Sequence, residues 1–253
     1  MITIPSRAPR IACSPGEWKQ RVDLAACYRL AERHRMGKVI WNHITARVPD
    51  APDMILVFGL GCRYDEVTAS NLVRMTLDGH AVDAPAESLN LAASVIHGGI
   101  YKARDDVMCV MHTHSRGGQA VACLKEGLLP LSQEAMMFHG DTAYHDYEGI
   151  ADDTAESDRL AADLGGKNQM ILRSHGLMTA GQSVGEAFWR MYMLEMACSL
   201  QIDVLATGRE YILQPPEVCA KVRKQYEQDF FPGRYEWPAF LRYLDRVEPD
   251  YAD

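Results

Sequence analysis

Two apolar runs that lead to histidines constrain what this chain can fold into more than any other feature. Residues 107–111 lead into His112 and, after one further residue, His114, and residues 170–172 come shortly before His175. In an extended strand, residues i and i+2 point to the same face, so His112 and His114 can present two imidazoles to one ion. A third imidazole from a separate strand would leave coordination positions open, as in catalytic metal sites. The pattern predicts a metal centre that can polarise a substrate oxygen.

Composition and charge indicate one domain of enzyme size. The 253 residues, 47% of them hydrophobic, can bury a single large core. The net charge of −8 argues against nucleic acid or an anionic membrane as principal partner, but it does not exclude a small anionic substrate. Seven scattered cysteines without a Cys-x-x-Cys pair predict a reduced, cytoplasmic protein. The start of the chain has no apolar signal core, and the apolar stretch 188–205 contains three charged residues, so we expect no membrane span.

Hydrophobic periodicity and Gly/Pro breakers predict an α/β chain in three parts: an arm at 1–15, a main domain at 16–210 and an aromatic-rich tail at 211–253. The tail is expected to pack on the domain or on a neighbouring subunit. The predicted helices lie near 16–35, 89–104, 116–125, 152–164 and 184–207, and the predicted strands lie near 39–48 and 54–58, around His112 and around His175.

The segment between Asn42 and Gly208 resembles the class II aldolase/adducin family. The resemblance is carried by His97, Tyr101, the residues 112–114 and 174–177, and the helix that begins at Glu186. The residues at 95–97, 128–133 and 144–151 are most similar to those of the adducin-like branch of the family. The resemblance implies a three-layer α/β/α domain with a central, mainly antiparallel sheet. It also implies a homotetramer with active sites at the subunit interfaces.

The resemblance further implies roles for particular residues. One divalent metal ion per subunit, zinc or manganese with iron as an alternative, would be held by His112, His114 and His175. Glu134 lies about where the aldolases supply a proton donor from the neighbouring subunit, and His97 is expected beside the metal ligands or the substrate. Asn42, Gly61 and His145 are candidate substrate-binding residues, although His145 could instead fix its own loop. The other histidines are not part of any recognisable ligand or catalytic pattern and are assigned to the surface or the core: His34, His43, His80 and His139.

One departure from the aldolases bears on the reaction. Their glutamate, which is both metal ligand and general base, corresponds to Ala93, 19 residues before His112. A water, Glu87 or the substrate itself could fill its place. Leucines and alanine also stand where the aldolases use hydroxyl residues to hold phosphate, which favours a flatter, more apolar substrate. We therefore expect a metal-dependent carbon–carbon lyase, with decarboxylation of a hydroxylated aromatic or heteroaromatic carboxylate favoured. Aldol cleavage of a small hydroxy-carbonyl compound, an iron-dependent oxygenase and a non-catalytic scaffold are the alternatives.

Overall fold

A seven-stranded open sheet organises the computed structural model, which describes residues 12–85, 89–90, 92–150, 154–229 and 231–253. The strand order is β3-β2-β1-β4-β7-β6-β5, and within this sheet every neighbouring pair is antiparallel except β5 and β6. The strands are β1 (His43–Val48), β2 (Ala51–Val57), β3 (Val73–Thr76), β4 (Cys109–Thr113), β5 (Thr142–His145), β6 (Gln169–Leu172) and β7 (Gly176–Gly181). The mainly antiparallel sheet that the family resemblance implies is confirmed.

Helices flank this sheet. They are α1 (Pro15–Arg33), α2 (Gly99–Ala103), α3 (Arg116–Ala122), α4 (Gln133–Met137), α5 (Thr154–Leu164), α6 (Val184–Ala206), α7 (Pro216–Asp229) and α8 (Glu236–Val247). A π-helical turn, Ser94–Gly98, leads into α2, and 3-10 turns occur at Tyr64–Glu66 and Pro249–Ala252. None of the helices described is long and apolar enough to cross a membrane.

Local sequence signals set the two helices that support the core. The hydroxyl of Ser14 accepts a hydrogen bond from the Glu17 amide, and Pro15 occupies the first position of α1. At the start of α6, Ser183 accepts from the Glu186 amide while the Glu186 carboxylate accepts from the Gln182 amide. Such caps satisfy the amide groups that a helix leaves free at its beginning, so both helices begin at defined residues.

Strand alternation on β4 separates the two faces of the sheet. Met111 and Thr113 face the layer of α1 and α6, because the Met111 sulfur contacts Cys27 of α1 and the Thr113 hydroxyl contacts Met191 of α6. His112 faces the opposite layer, where the π-turn and α2 pack on β1. The predicted three-layer α/β/α arrangement is therefore confirmed, and the histidines lie on one defined side of it.

Several sequence expectations need correction. Residues 39–42 lie outside β1, and the short strands β3 and β5 were not predicted. The run around His175 is two strands, because the chain turns at 173–175 between β6 and β7; Ser174 adopts a φ of 54° there. The expected tail contains helices α7 and α8, which contact α4 and α6 respectively. Most of the predicted arm, the start of the helix expected at 152 and Glu87 lie outside the described residues.

Candidate metal centre

His112 and His114 present their rings on one face at the end of β4, as the strand period predicts. Their Nε2 atoms are 3.0 Å apart, and their ring centroids are separated by 4.8 Å. His112 lies inside the sheet, opposite His43 of β1 and Met178 of β7, whereas His114 follows the last residue of the strand. The sheet therefore positions His112 directly, and it positions His114 only through Thr113, the last residue of β4.

His175 reaches the same place from the turn between β6 and β7. The left-handed conformation of Ser174 is held by a hydrogen bond from its amide to the Ala122 carbonyl. The following residue is a glycine for a steric reason: a Cβ at Gly176 would lie 2.3 Å from the Thr113 carbonyl oxygen. This close approach brings the His175 ring within 4.7 Å of His112 and 4.6 Å of His114, centroid to centroid.

The chemistry of these donors fits a divalent transition metal. One nitrogen from each of the three rings lies within 4.8 Å of the others, and no carboxylate joins this group among the described residues. The Nδ1 atom of His112 is 2.9 Å from the Leu177 carbonyl oxygen, which can only accept, so Nδ1 carries the proton and Nε2 offers its lone pair. Three imidazoles with open positions suit zinc, manganese or iron.

Burial keeps these rings neutral, as metal ligation requires. It lowers the pKa of His112 well below its ordinary value, with neighbouring His43 and His175 adding to the effect. Burial also lowers the pKa of His114 to about 4, and that of His175 is lowered by burial and by His145. At neutral pH the three lone pairs are therefore available without prior loss of a proton.

His43 belongs to this centre, which the sequence did not reveal. It is 3% exposed, its ring centroid lies 5.1 Å from that of His112, and its Nδ1 is 3.0 Å from Nε2 of His97. His97, fully buried, uses its other nitrogen on the Thr45 hydroxyl at 2.8 Å. His97 thus contacts the metal centre through His43 rather than facing substrate. Only the pairing of His43 with His112 in neighbouring strands brings His43 to the centre. That pairing depends on the register of two distant strands, which the sequence pattern does not reveal.

Asn42 carries an open requirement for a ligand. Its side chain is 1% exposed, and neither amide atom has a hydrogen-bond partner among the described residues. Unpaired buried amides are costly, so a polar group bound here would be stabilising. Asn42 directly precedes His43 in the chain, at the start of β1.

The remaining candidates are less closely connected with the centre. His145, at the end of β5, lines a small cavity with His175 and Tyr147, and its Nδ1 is 2.7 Å from an Asp163 oxygen. Gly61 lies in an exposed turn with φ +91°, closed by the Cys62 amide bonding to the Gly59 carbonyl. Glu134 lies at the start of α4, whose main contacts are with α6 and α7 rather than with β4.

Ala93 is a core residue in this structure. It is fully buried among the hydrophobic side chains and directly precedes the π-turn that carries His97. A methyl group at this position neither binds metal nor transfers a proton, so a glutamate's role is not available from this residue.

The fold and the cluster define an α/β/α protein with a candidate three-histidine metal centre. Residues 22–202 match the model of the Class II Aldolase and Adducin N-terminal domain, and the chain belongs to the class II aldolase/adducin family. A Caulobacter vibrioides protein whose aldolase class 2 designation is provisional is 41% identical over 252 residues, covering 99% of this chain and 98% of that protein. Mouse alpha-adducin is 40% identical over 94% of this chain, which spans 34% of the adducin.

Solved structures agree with this assignment. An aldolase II superfamily protein from Pseudomonas syringae is similar with a TM-score of 0.91 and 47% identity, covering 96% of this chain and 98% of that one. The L-fuculose 1-phosphate aldolase from Glaciozyma antarctica PI12 has a TM-score of 0.82 at 24% identity, covering 97% and 96% of the two chains. At that identity the second likeness concerns the fold alone.

Proposed function

We propose that the protein is a metal-dependent carbon–carbon lyase that decarboxylates a hydroxylated aromatic or heteroaromatic carboxylate. The observation that carries the proposal is the cluster of His112, His114 and His175, neutral and without a carboxylate among the described residues. These residues would hold a zinc or manganese ion, with iron as the alternative. A bound divalent ion supplies Lewis-acid stabilisation of negative charge on a substrate oxygen.

Ala93 favours decarboxylation over aldol cleavage. Aldol cleavage begins with removal of a hydroxyl proton by a base, and the family glutamate that would do this is replaced by a buried alanine. Decarboxylation needs no such base. The bond between the ring carbon and the carboxylate breaks, CO2 leaves, and the electron pair stays on carbon, which then takes up a proton. The chain must therefore supply a proton donor rather than an acceptor.

We assign the other residues by the same chemistry. The unpaired amide of Asn42 would bind the substrate's polar group, His145 would contact the substrate from the cavity that it lines with His175, and Gly61 would contribute through its exposed turn. Glu134 would return the proton to carbon. Since α4 contacts α6 and α7 rather than the histidines, Glu134 would act in the site of a neighbouring subunit of a homotetramer. All seven cysteines are unpaired, which supports a cytoplasmic location.

A non-catalytic binding module is the second candidate, favoured by the 40% identity with mouse alpha-adducin. Its weakness is the geometry of the centre. A scaffold has no use for three imidazoles, one buried and two partly buried, whose nitrogens lie within 4.8 Å of one another, because that arrangement costs desolvation without a ligand to offset it.

The test is elemental analysis of the purified protein, followed by incubation with a panel of hydroxyaryl carboxylates while CO2 release is measured. About one zinc or manganese per chain with CO2 release supports the decarboxylase, and His112→Ala is the matched inactive control. Metal without CO2 would direct the search to aldol substrates, and iron with oxygen consumption to an oxygenase. No metal after reconstitution would contradict the enzyme proposal.

A further inference from the structure

A chain of buried hydrogen bonds runs from Tyr101 to the metal centre. The Tyr101 hydroxyl is 2.9 Å from both the carbonyl and the hydroxyl oxygen of Thr45, and it receives the Val110 amide at 3.1 Å. The Thr45 hydroxyl is 2.8 Å from Nδ1 of His97, and Nε2 of His97 is 3.0 Å from Nδ1 of His43. All four linked side chains are at most 3% exposed, so their polar groups depend mainly on one another for hydrogen bonds.

The direction of each proton in this chain follows from one carbonyl group. A carbonyl oxygen only accepts, so the Tyr101 hydroxyl must donate its single proton to the Thr45 carbonyl. The Tyr101 oxygen can then only accept from Thr45, as it does from the Val110 amide. The Thr45 hydroxyl therefore donates to Tyr101, and its oxygen is left to accept a proton from Nδ1 of His97.

The direction of these hydrogen bonds determines the tautomers of His97 and His43. A neutral imidazole carries one N–H, so His97 with a proton on Nδ1 has a lone pair on Nε2. That lone pair accepts the Nδ1 proton of His43. His43 in turn must have an unprotonated Nε2. The result is the same tautomer that the Leu177 carbonyl imposes on His112.

The Nε2 atom of His43 is not used elsewhere in the fold. It has no hydrogen-bond partner among the described residues, and it is not one of the polar atoms that are both fully enclosed and unpaired. The His43 ring packs against that of His112 and lies in the electrostatic field of His114 and His175. Its lone pair is therefore available at the metal centre.

We propose that the Tyr101–Thr45–His97 chain locks His43 with Nε2 unprotonated, so that His43 accepts a hydrogen bond from a hydroxyl group of the substrate. This inference rests on the proposed function for the nature of the substrate, but the tautomer lock does not depend on turnover. It makes His43 a substrate-contacting residue, and it makes His97, Thr45 and Tyr101 positioning residues. It also gives a reason for a hydroxylated substrate: a hydroxyl group supplies the donor that this lone pair lacks.

His43 is distinct from the metal ligands. The described nitrogens that converge closely enough to share an ion are those of His112, His114 and His175, and His43 is outside that group. A substitution at His43 should therefore leave the metal content unchanged, whereas one at His112 should not. This difference separates a substrate contact from a fourth ligand.

The tautomer lock is tested directly by 15N-histidine NMR of the zinc-loaded protein, with the His43 signals assigned from their loss in His43→Phe. We expect His43 and His97 to carry their protons on Nδ1. Thr45→Val removes the hydroxyl at nearly constant volume and should disturb both tautomers, while Thr45→Ser keeps the hydroxyl and should preserve them. A proton on Nε2 of His43 in the wild-type protein would overturn the lock, whatever the variants do.

The substrate contact is tested by calorimetric binding of two probes, salicylate and 2-methoxybenzoate, to the zinc-loaded protein. The second probe keeps the ring, carboxylate and oxygen but cannot donate a proton. We expect His43→Phe to retain zinc and to lose about three- to tenfold affinity for salicylate, the worth of one neutral hydrogen bond, with little change for 2-methoxybenzoate.

Loss of zinc from His43→Phe would instead make His43 a ligand. Equal wild-type affinities for the two probes, or no binding of either, would overturn the substrate contact. A failed decarboxylation assay alongside the expected NMR and binding results would reject the proposed reaction and leave the role of His43 intact.

Discussion

Gly176 of β7 packs so closely against Thr113 of β4 that no residue with a side chain could replace the glycine without moving the backbone. A Cβ at Gly176 would lie 2.3 Å from the Thr113 carbonyl oxygen and 3.1 Å from the His114 ring. The contact joins the two segments that carry His114 and His175. Backbone packing therefore sets the spacing of two candidate metal ligands.

Gly176→Ala should separate these segments and weaken metal binding. Displaced supports of metal ligands typically cost about 10- to 100-fold in affinity, and we expect a loss in that range. Competition with a chelator of known zinc affinity measures it. The matched control is Gly166→Ala, because a Cβ there meets no described atom within 4 Å. Unchanged zinc affinity in Gly176→Ala would contradict the proposed geometry.

His112→Ala should abolish metal retention and activity while the fold persists. Two imidazoles remain, which is too few to hold the ion against dialysis, and the buried cavity should cost about 1–3 kcal/mol of stability. Elemental analysis, circular dichroism and urea unfolding measure these effects. His80→Ala, which alters an exposed histidine, is the control. A metal-replete, active His112→Ala protein would reject the site.

Ala93→Glu tests whether a carboxylate at position 93 reaches the metal centre, as the family's glutamate does. Because Ala93 is fully buried, a glutamate without metal would be an unpaired buried charge, and the metal-free variant should melt at a lower temperature than Ala93→Gln. Zinc should raise its melting temperature by more than that of the wild type, since the carboxylate then gains a counter-ion. If zinc stabilises Ala93→Glu no more than Ala93→Gln, the carboxylate does not reach the centre.

Glu195 of α6 holds the start of α3, the helix that follows His114. Its carboxylate accepts the Gly117 amide at 2.9 Å and the Gly118 amide at 2.7 Å. Glu195→Ala leaves both amides unpaired and should lower the free energy of unfolding by about 1.5–3 kcal/mol, with a smaller loss for Glu195→Gln. Urea denaturation measures it. Glu227→Ala, which removes an exposed ion pair with Arg223, should change stability by less than about 0.5 kcal/mol; similar losses in both would contradict the assigned role.

Glu17 should make stability depend on acid pH. Burial alone would raise its pKa, but hydrogen bonds and charges from Arg74 and Arg21 outweigh burial, and the net pKa is lowered from 4.5. A carboxyl group with a depressed folded-state pKa stabilises the fold above the unfolded-state pKa, and this contribution is lost as the pH falls through the folded-state value.

The matching experiment is a thermal melt of Glu17→Gln and wild type between pH 7 and pH 3. The stability difference should be full at pH 7 and shrink as the pH falls below 4.5. Glu210→Gln, at an exposed carboxylate, is the control. A difference that grows towards acid pH would contradict the sign of the shift.

Sequence reasoning succeeded where the information is local. The two-residue spacing of His112 and His114 fixes their common face in any strand, and the helix predicted at 184–207 corresponds to α6. The fold class followed from the family resemblance rather than from periodicity alone. The short strands β3 and β5 were missed, because four residues give too little alternation to distinguish them from a loop.

The parts of the site that were missed depend on register and on turns. His43 was assigned to the surface or core because its meeting with His112 depends on which residues of two distant strands pair. His175 was placed in a strand because the apolar run hides a turn that needs a left-handed serine. Neither the strand register nor the turn can be deduced from residue type or spacing alone.

The three candidate ligands differ in how the backbone holds them, and this difference decides which substitutions the centre can tolerate. His112 is built into the middle of the sheet, whereas His114 and His175 lie just beyond strand ends. A change in strand pairing would displace His112 together with the sheet, whereas a change in a connecting segment would move His114 or His175 alone. Substitutions that retune the metal centre without disturbing the sheet are therefore expected in the connecting segments, except where close backbone packing restricts them, as at Gly176.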